Sequence, residues 1–146
     1  MDTKFVTFEL ETKKQFELVD ITQPIRNAVR DSGVQSGIAV AYSQHTTGAI
    51  RVNHSEPLLF QDIMKALFRM IPVNISYSHD LFELRATKAL DERSNGHAHV
   101  KTFLLGSSES FIINEGQLLL GEKQSIFFVE LDGGRKRKVH LKIIAG

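Results

Sequence analysis

The chain has 146 residues, 42% of them hydrophobic and 24% charged, which is enough for one compact core and too few for two well-filled ones. Eighteen Lys and Arg against seventeen Asp and Glu leave a net charge of +1, and that excludes the strong basic field expected of a nucleic-acid or anionic-membrane binder. With no cysteine there is neither a disulfide framework nor a thiolate metal site, so any metal would be held by His, Asp or Glu. No apolar run approaches the roughly 18 residues of a membrane helix, and the residues after Lys4 alternate instead of forming the apolar stretch of a signal peptide. A single cytoplasmic domain over residues 1–146 is the expectation, with no membrane and no nucleic-acid partner.

In chain order, residues 4–10 and 15–19 alternate or run apolar on either side of the polar stretch Glu11 to Lys14, which predicts an N-terminal β-hairpin. Asp20 then caps a helix that reaches about Arg30 and ends near Gly33, with Ile21, Ile25, Ala28 and Val29 on one stripe. Two strands follow, Ile38–Gln44 and Ala49–Asn53, broken at His45-Thr46-Thr47-Gly48. Ser55 before Glu56-Pro57 predicts the start of a second helix running to about Met70, because proline suits a first turn whose N–H groups have no helical partner. Residues 71–98 are polar and poorly periodic, the pattern of a functional loop. β-rich segments near 99–105, 110–114, 117–120, 125–132 and 136–144 complete the chain, separated by glycine-containing turns. Early helices and late strands predict an α+β fold, a mainly antiparallel sandwich or barrel with two helices.

Chemistry concentrates in the middle of the chain, where five of the six histidines fall between His45 and His99. If His97-Ala98-His99 is extended, both imidazoles share a face about 6–7 Å apart, near enough to hold one ion. His45 ends a strand whose Ala39, Ala41 and Ser43 lie on its face, leaving room for a cavity or for close packing of a helix or another subunit. Asp62 falls in or beside the apolar stripe of the second helix, so if buried it needs a histidine, a metal or backbone donors; otherwise it caps a loop. In the last strand Arg135 and Arg137 share a face with Val139, Leu141 and Ile143, where they could line a pocket mouth and hold a phosphate or carboxylate. Lys136, Lys138, His140 and Lys142 take the opposite, solvated face. There is no Walker loop, dinucleotide-binding glycine motif, nucleophile elbow or H-E-x-x-H, which removes nucleotide-binding α/β folds and serine hydrolases.

Several motifs coincide over nearly the whole chain. They are His45-Thr46-Thr47-Gly48-Ala49-Ile50 with Val52-Asn53, then Asp62, Tyr77-Ser78-His79-Asp80, Asn95-Gly96-His97-Ala98-His99 and Leu105-Gly106. Gly116, Leu120-Gly121, Gln124, Glu130, Asp132-Gly133, Arg135 and Arg137 follow. In order and spacing this set resembles the YjbQ-like family. The resemblance implies an α+β protein with an antiparallel jelly-roll-like β-sandwich, assembled as a homotrimer, with a weak thiamine-phosphate synthase activity beside an undefined main reaction. It also implies a metal site of His45, His79 and His99; three imidazoles suit Zn²⁺, with Mg²⁺ as the alternative, and leave a position open for water or substrate. Asp62 and Arg137 match further characteristic positions, and Arg135 would join Arg137 in neutralising a bound phosphate. The chain departs from the family at His54, where an acidic residue is common, at Lys123 in place of Trp and at Asn114 in place of Pro. His97 falls at a variable position that is often Asp.

The expectation that follows is a metal-dependent, transferase-like enzyme acting on a small phosphorylated molecule, such as a pyrimidine diphosphate joined to a thiazole phosphate. The alternative is a non-catalytic trimer that holds a metal or ligand, and a third reading makes the polar groups mere determinants of subunit packing.

Overall fold

The structure, a computed structural model, describes residues 3–81 and 93–146. Its strands form two antiparallel sheets. The larger takes β1 (Thr3–Glu11), β8 (Lys136–Ala145), β3 (Gly37–Tyr42), β5 (Ser108–Asn114) and β6 (Gln117–Leu118) in that spatial order. The smaller takes β2 (Glu17–Asp20), β7 (Ser125–Glu130) and β4 (Gly48–Asn53). Three helices complete the described residues, α1 (Thr22–Ser32), α2 (Pro57–Met70) and α3 (Gly96–Leu105), with a 3₁₀ turn at Ser78–Asp80. The class is therefore α+β, with one helix more than expected.

The period of two decides what each strand buries. In β8 Arg137, Val139, Leu141 and Ile143 are buried while Lys136, Lys138 and Lys142 are exposed, as the phase of the sequence predicts. The inward residues of β8 join Ala39, Ala41 and Ile113 of the larger sheet and Ile50, Ile126 and Phe128 of the smaller one in a single apolar cluster. Ile25 and Val29 of α1 close it. Ala39, Ala41 and Ser43 are thus buried inside the chain, which favours the core-packing reading of that face over a subunit contact. β7 is buried on both sides: its other face places Phe127 and Val129 in a second cluster with Leu67 of α2 and Ala98 of α3. That explains its unbroken Ile-Phe-Phe-Val run, the pattern of a strand covered on both faces.

Three expectations change. The N-terminal hairpin does not form, because β1 pairs with β8 and β2 with β7, so consecutive strands enter different sheets. The second helix starts where expected, yet its cap is Glu56, whose carboxylate accepts the N–H groups of Leu58 and Leu59, and Ser55 takes no part. Residues 99–105 are helical instead of extended. α3 buries His97 and Lys101 and exposes Val100, Phe103 and Leu104, so its apolar residues do not mark the inward face. The first helix ends as predicted, at Gly33 with φ of 73°, a left-handed conformation that favours glycine. Of the predicted loop 71–98, residues 82–92 lie outside the described residues.

Candidate active site

The H-T-T-G segment crosses from the larger sheet to the smaller one and is tied at His45, Thr47 and Gly48. The His45 N–H donates to Ser43 Oγ at 3.1 Å, and His45 Nε2 accepts the Lys138 backbone N–H at 2.9 Å. An imidazole that accepts at Nε2 and is neutral carries its hydrogen on Nδ1, which is then a donor. Burial, and then the charge of Arg137, lower the His45 pKa and favour that neutral form. Its ring meets Phe128 edge-on at 6.1 Å. Gly48 lies under the same Phe128, whose Cζ would stand 2.3 Å from an added Cβ.

His79 and His99 come together because α3 docks closely on the 3₁₀ turn. The Gly96 N–H donates to Asp80 Oδ1 at 2.9 Å, and a Cβ at Gly96 would stand 2.6 Å from Tyr77 Cβ. Above that contact the His79 and His99 rings lie 4.6 Å apart, centre to centre. His45 and His99 line one cavity of about 400 Å³ together with Tyr42, Thr102, Phe103 and Ser107. A Gly96→Ala variant is expected to lose about 1–3 kcal/mol through overpacking against Tyr77. In proton NMR it should also lose the ring-to-ring contact of His79 and His99; a retained contact with unchanged melting would refute the role of this close approach.

Both arginines are engaged by carboxylates of the chain itself. Arg137 is buried, and its guanidinium Nε donates to Glu130 Oε1 at 2.8 Å while Nη2 donates to Glu130 Oε2 and to Thr47 Oγ1 at 3.0 Å. Glu130, also buried, accepts further from Thr12 Oγ1 at 2.6 Å and from the Leu131 and Asp132 N–H groups. Burial would raise its pKa, but the bonds from Arg137, Thr12 and the Asp132 N–H hold it below the ordinary value. Arg135 donates from Nε and Nη2 to the Asp132 carbonyl and carboxylate, each at 2.8 Å. The strand phase that points Arg137 inward is the one predicted; the partner it meets there is a carboxylate of the chain itself. Asp62 is exposed on α2, without the buried environment that would have demanded a partner.

Helical geometry also separates His97 from His99. Two residues along a helix turn the side chain by about 200°, so the pair cannot share an ion as an extended segment would allow. Among the described residues no group of three His, Asp or Glu is placed to hold a metal ion. The one acceptor lone pair of neutral His45 is already engaged by Lys138, so the donors of one chain do not make up the three-imidazole site in this arrangement.

The unexpected buried group is Lys101, 1% exposed and 2.8 Å from His97 Nδ1. Burial pushes its pKa down to about 8. Lysine is among the residues least often fully buried, so nothing in a single sequence singles it out. Only the i, i+4 spacing from His97 is a signal, and it has meaning only once the segment is read as a helix.

These features define a class: an α+β chain of antiparallel sheets with a histidine-lined cavity at the H-T-T-G crossover. The chain belongs to the YjbQ-like UPF0047 family, whose profile matches residues 6–146. It is 40% identical over 138 residues to a UPF0047 protein of Methanocaldococcus jannaschii, covering 94% of this chain and 91% of that one. With YugU of Bacillus subtilis it shares 30% identity over 141 residues, covering 94% and 97% of the two chains. A crystal structure from Sulfolobus solfataricus, described as a YbjQ-like protein of unknown function, superposes with a TM-score of 0.89 at 34% identity, over 99% of this chain and 98% of that chain. None of the helices described is long and apolar enough to cross a membrane.

Proposed function

We propose that the protein is a cytoplasmic enzyme of small phosphorylated molecules, with its reaction centre in the cavity lined by His45 and His99 and with that cavity completed by neighbouring copies in a homotrimer. The observation that carries this reading is the cavity itself: a main-chain-anchored imidazole faces it beside a second one, and Phe103, which lines it, is 92% exposed in the single chain. A phenylalanine left so open at the rim of a polar cavity fits a site that another subunit covers. In this reading His45 Nδ1–H donates to a negatively charged oxygen of the substrate, and His99 exchanges a proton with the reacting group. The hydroxyl of Ser107 orients the molecule. The phosphorylated class rests on the family resemblance, and synthesis of thiamine phosphate from a pyrimidine diphosphate and a thiazole phosphate is one member of it.

Binding of a divalent ion, Zn²⁺ or Mg²⁺, is the second reading, favoured by the His79–His99 contact at 4.6 Å. It requires His45 to release the Lys138 N–H or a neighbouring copy to supply a donor, and no step above depends on it. A panel of phosphate esters and diphosphates, scored for released phosphate or pyrophosphate with metal content measured alongside, tests both. Wild-type turnover should fall on the order of 100-fold in His99→Ala with melting unchanged. No turnover of any member of the panel would leave the non-catalytic binding trimer in its place.

A further inference from the structure

A larger cavity, beside a different face of α3, lies outside the reading just given. Its volume is about 650 Å³, and Phe16, Leu67 and Leu131 supply apolar walls. Among the described residues, the charged groups that line it are cations, Lys65 and Arg69 of α2 and Lys101 of α3. Lys65 and Arg69 are exposed, whereas Lys101 is 1% exposed.

Lys101 is unusual in what it lacks. Its Nζ meets His97 Nδ1 at 2.8 Å and stands 5.4 Å from the centre of the Phe16 ring. An ammonium group has three N–H donors, and among the described residues His97 takes one of them. No described carboxylate forms an ion pair with it; Asp132, whose charge acts on His97, is bonded to Asn95 and Arg135. A buried cation without a counter-charge destabilises a folded chain, and its removal in favour of an apolar side chain often stabilises one. A fold that keeps such a group against an open apolar cavity has a place for an anion from outside.

We propose that this cavity binds a small amphipathic anion, an aromatic or short alkyl body bearing one carboxylate, with the head group on Lys101 and the body against the apolar walls. A carboxylate has two oxygens for the two remaining N–H donors, and the apolar walls suit a body that is itself uncharged. Lys65 and Arg69 add positive charge around the same cavity and draw the anion toward it.

Calorimetric titration of the full chain with 4-phenylbutanoate, 4-phenylbutanol and 4-phenylbutylamine tests the assignment, with methyl NMR of Met64, which also lines the cavity, reporting the place of binding. The carboxylate should bind once per chain and at least tenfold more tightly than the alcohol, with the amine weakest, and the Met64 methyl should shift on saturation. Lys101→Met should melt at the same or a higher temperature, keep the alcohol and lose the preference for the carboxylate. Equal affinity for carboxylate and alcohol in the wild type would overturn the proposal, as would undiminished preference in Lys101→Met or no saturable binding. If Lys101→Met does not fold, the wild-type ratio and the Met64 shift decide alone. Inorganic phosphate should not displace the carboxylate, and displacement at millimolar concentration would transfer the site to phosphate and refute the amphipathic ligand.

Discussion

Arg137→Ala is expected to lower the unfolding free energy by about 3–5 kcal/mol, a large part of the 5–15 kcal/mol of an ordinary domain. The loss comes less from the missing attraction than from what remains: Glu130, fully buried, would keep its charge with only Thr12 and backbone N–H groups to hold it. Urea unfolding followed by circular dichroism measures the effect, and an unchanged midpoint would show that the pair contributes nothing. An Arg137→Met, Glu130→Leu double variant should be more stable than Arg137→Ala, because it leaves no orphan charge. The same pair sets an acid limit. The folded-state pKa of Glu130 is depressed, so its stabilisation is fully present above the unfolded value of about 4.3 and is lost as pH falls through the lower folded value. Asp132, depressed by Asn95 and Arg135 against the opposing effect of burial, adds to that loss. Glu130→Gln should flatten the decline of stability below about pH 4.3 while lowering stability at neutral pH.

Phe103→Glu is expected to convert the proposed trimer into single chains at micromolar concentration, with secondary structure retained. Val100, Phe103 and Leu104 form an exposed apolar stripe at i, i+3 and i+4 on α3. The outer face of the larger sheet adds Ile112, Ile38 and Ile144, direct cross-strand neighbours, all exposed. In the proposed trimer such apolar residues would be covered by a neighbouring copy, and a carboxylate at the most exposed of them would have to be desolvated for the contact to persist. Sedimentation velocity of wild type and variant gives the answer. A wild-type monomer at the same concentration would remove both the trimer and the completion of the histidine cavity by a second copy.

How much of this was legible in the residues depends on which interactions are local. The end of α1 at Gly33, the proline start of α2, the phase of β8 and the break at His45 follow from a glycine, a proline and a period of two within short windows; the expected caps do not, because Ile21 precedes α1 with no side-chain cap bond, Asp20 accepting the Thr22 N–H, and Glu56 caps α2. Strand partners do not: the turn at residues 12–16 looks like a hairpin because nothing local records that β1 pairs with a strand more than a hundred residues away. α3 misleads for a different reason. Its outward side carries Phe103 and its inward side Lys101 and His97, the reverse of the usual segregation, so the helical period is masked. Of the three expected imidazoles, His79 meets His99, and His45 shares a cavity with His99; the partner of Arg137 is hidden from the sequence, since strand phase gives the direction of a side chain and not the charge waiting for it.

The double burial of β7 ties the surroundings of both cavities to one strand. The Phe128 ring meets that of His45, which lines one cavity, and Leu131, the residue just past the end of the strand, lines the other. β2 and β4 grip the strand from either side, so it cannot slide without breaking both ladders at once. The ring packed against His45 and the residue that follows Glu130 are thus both anchored by one strand held on two edges.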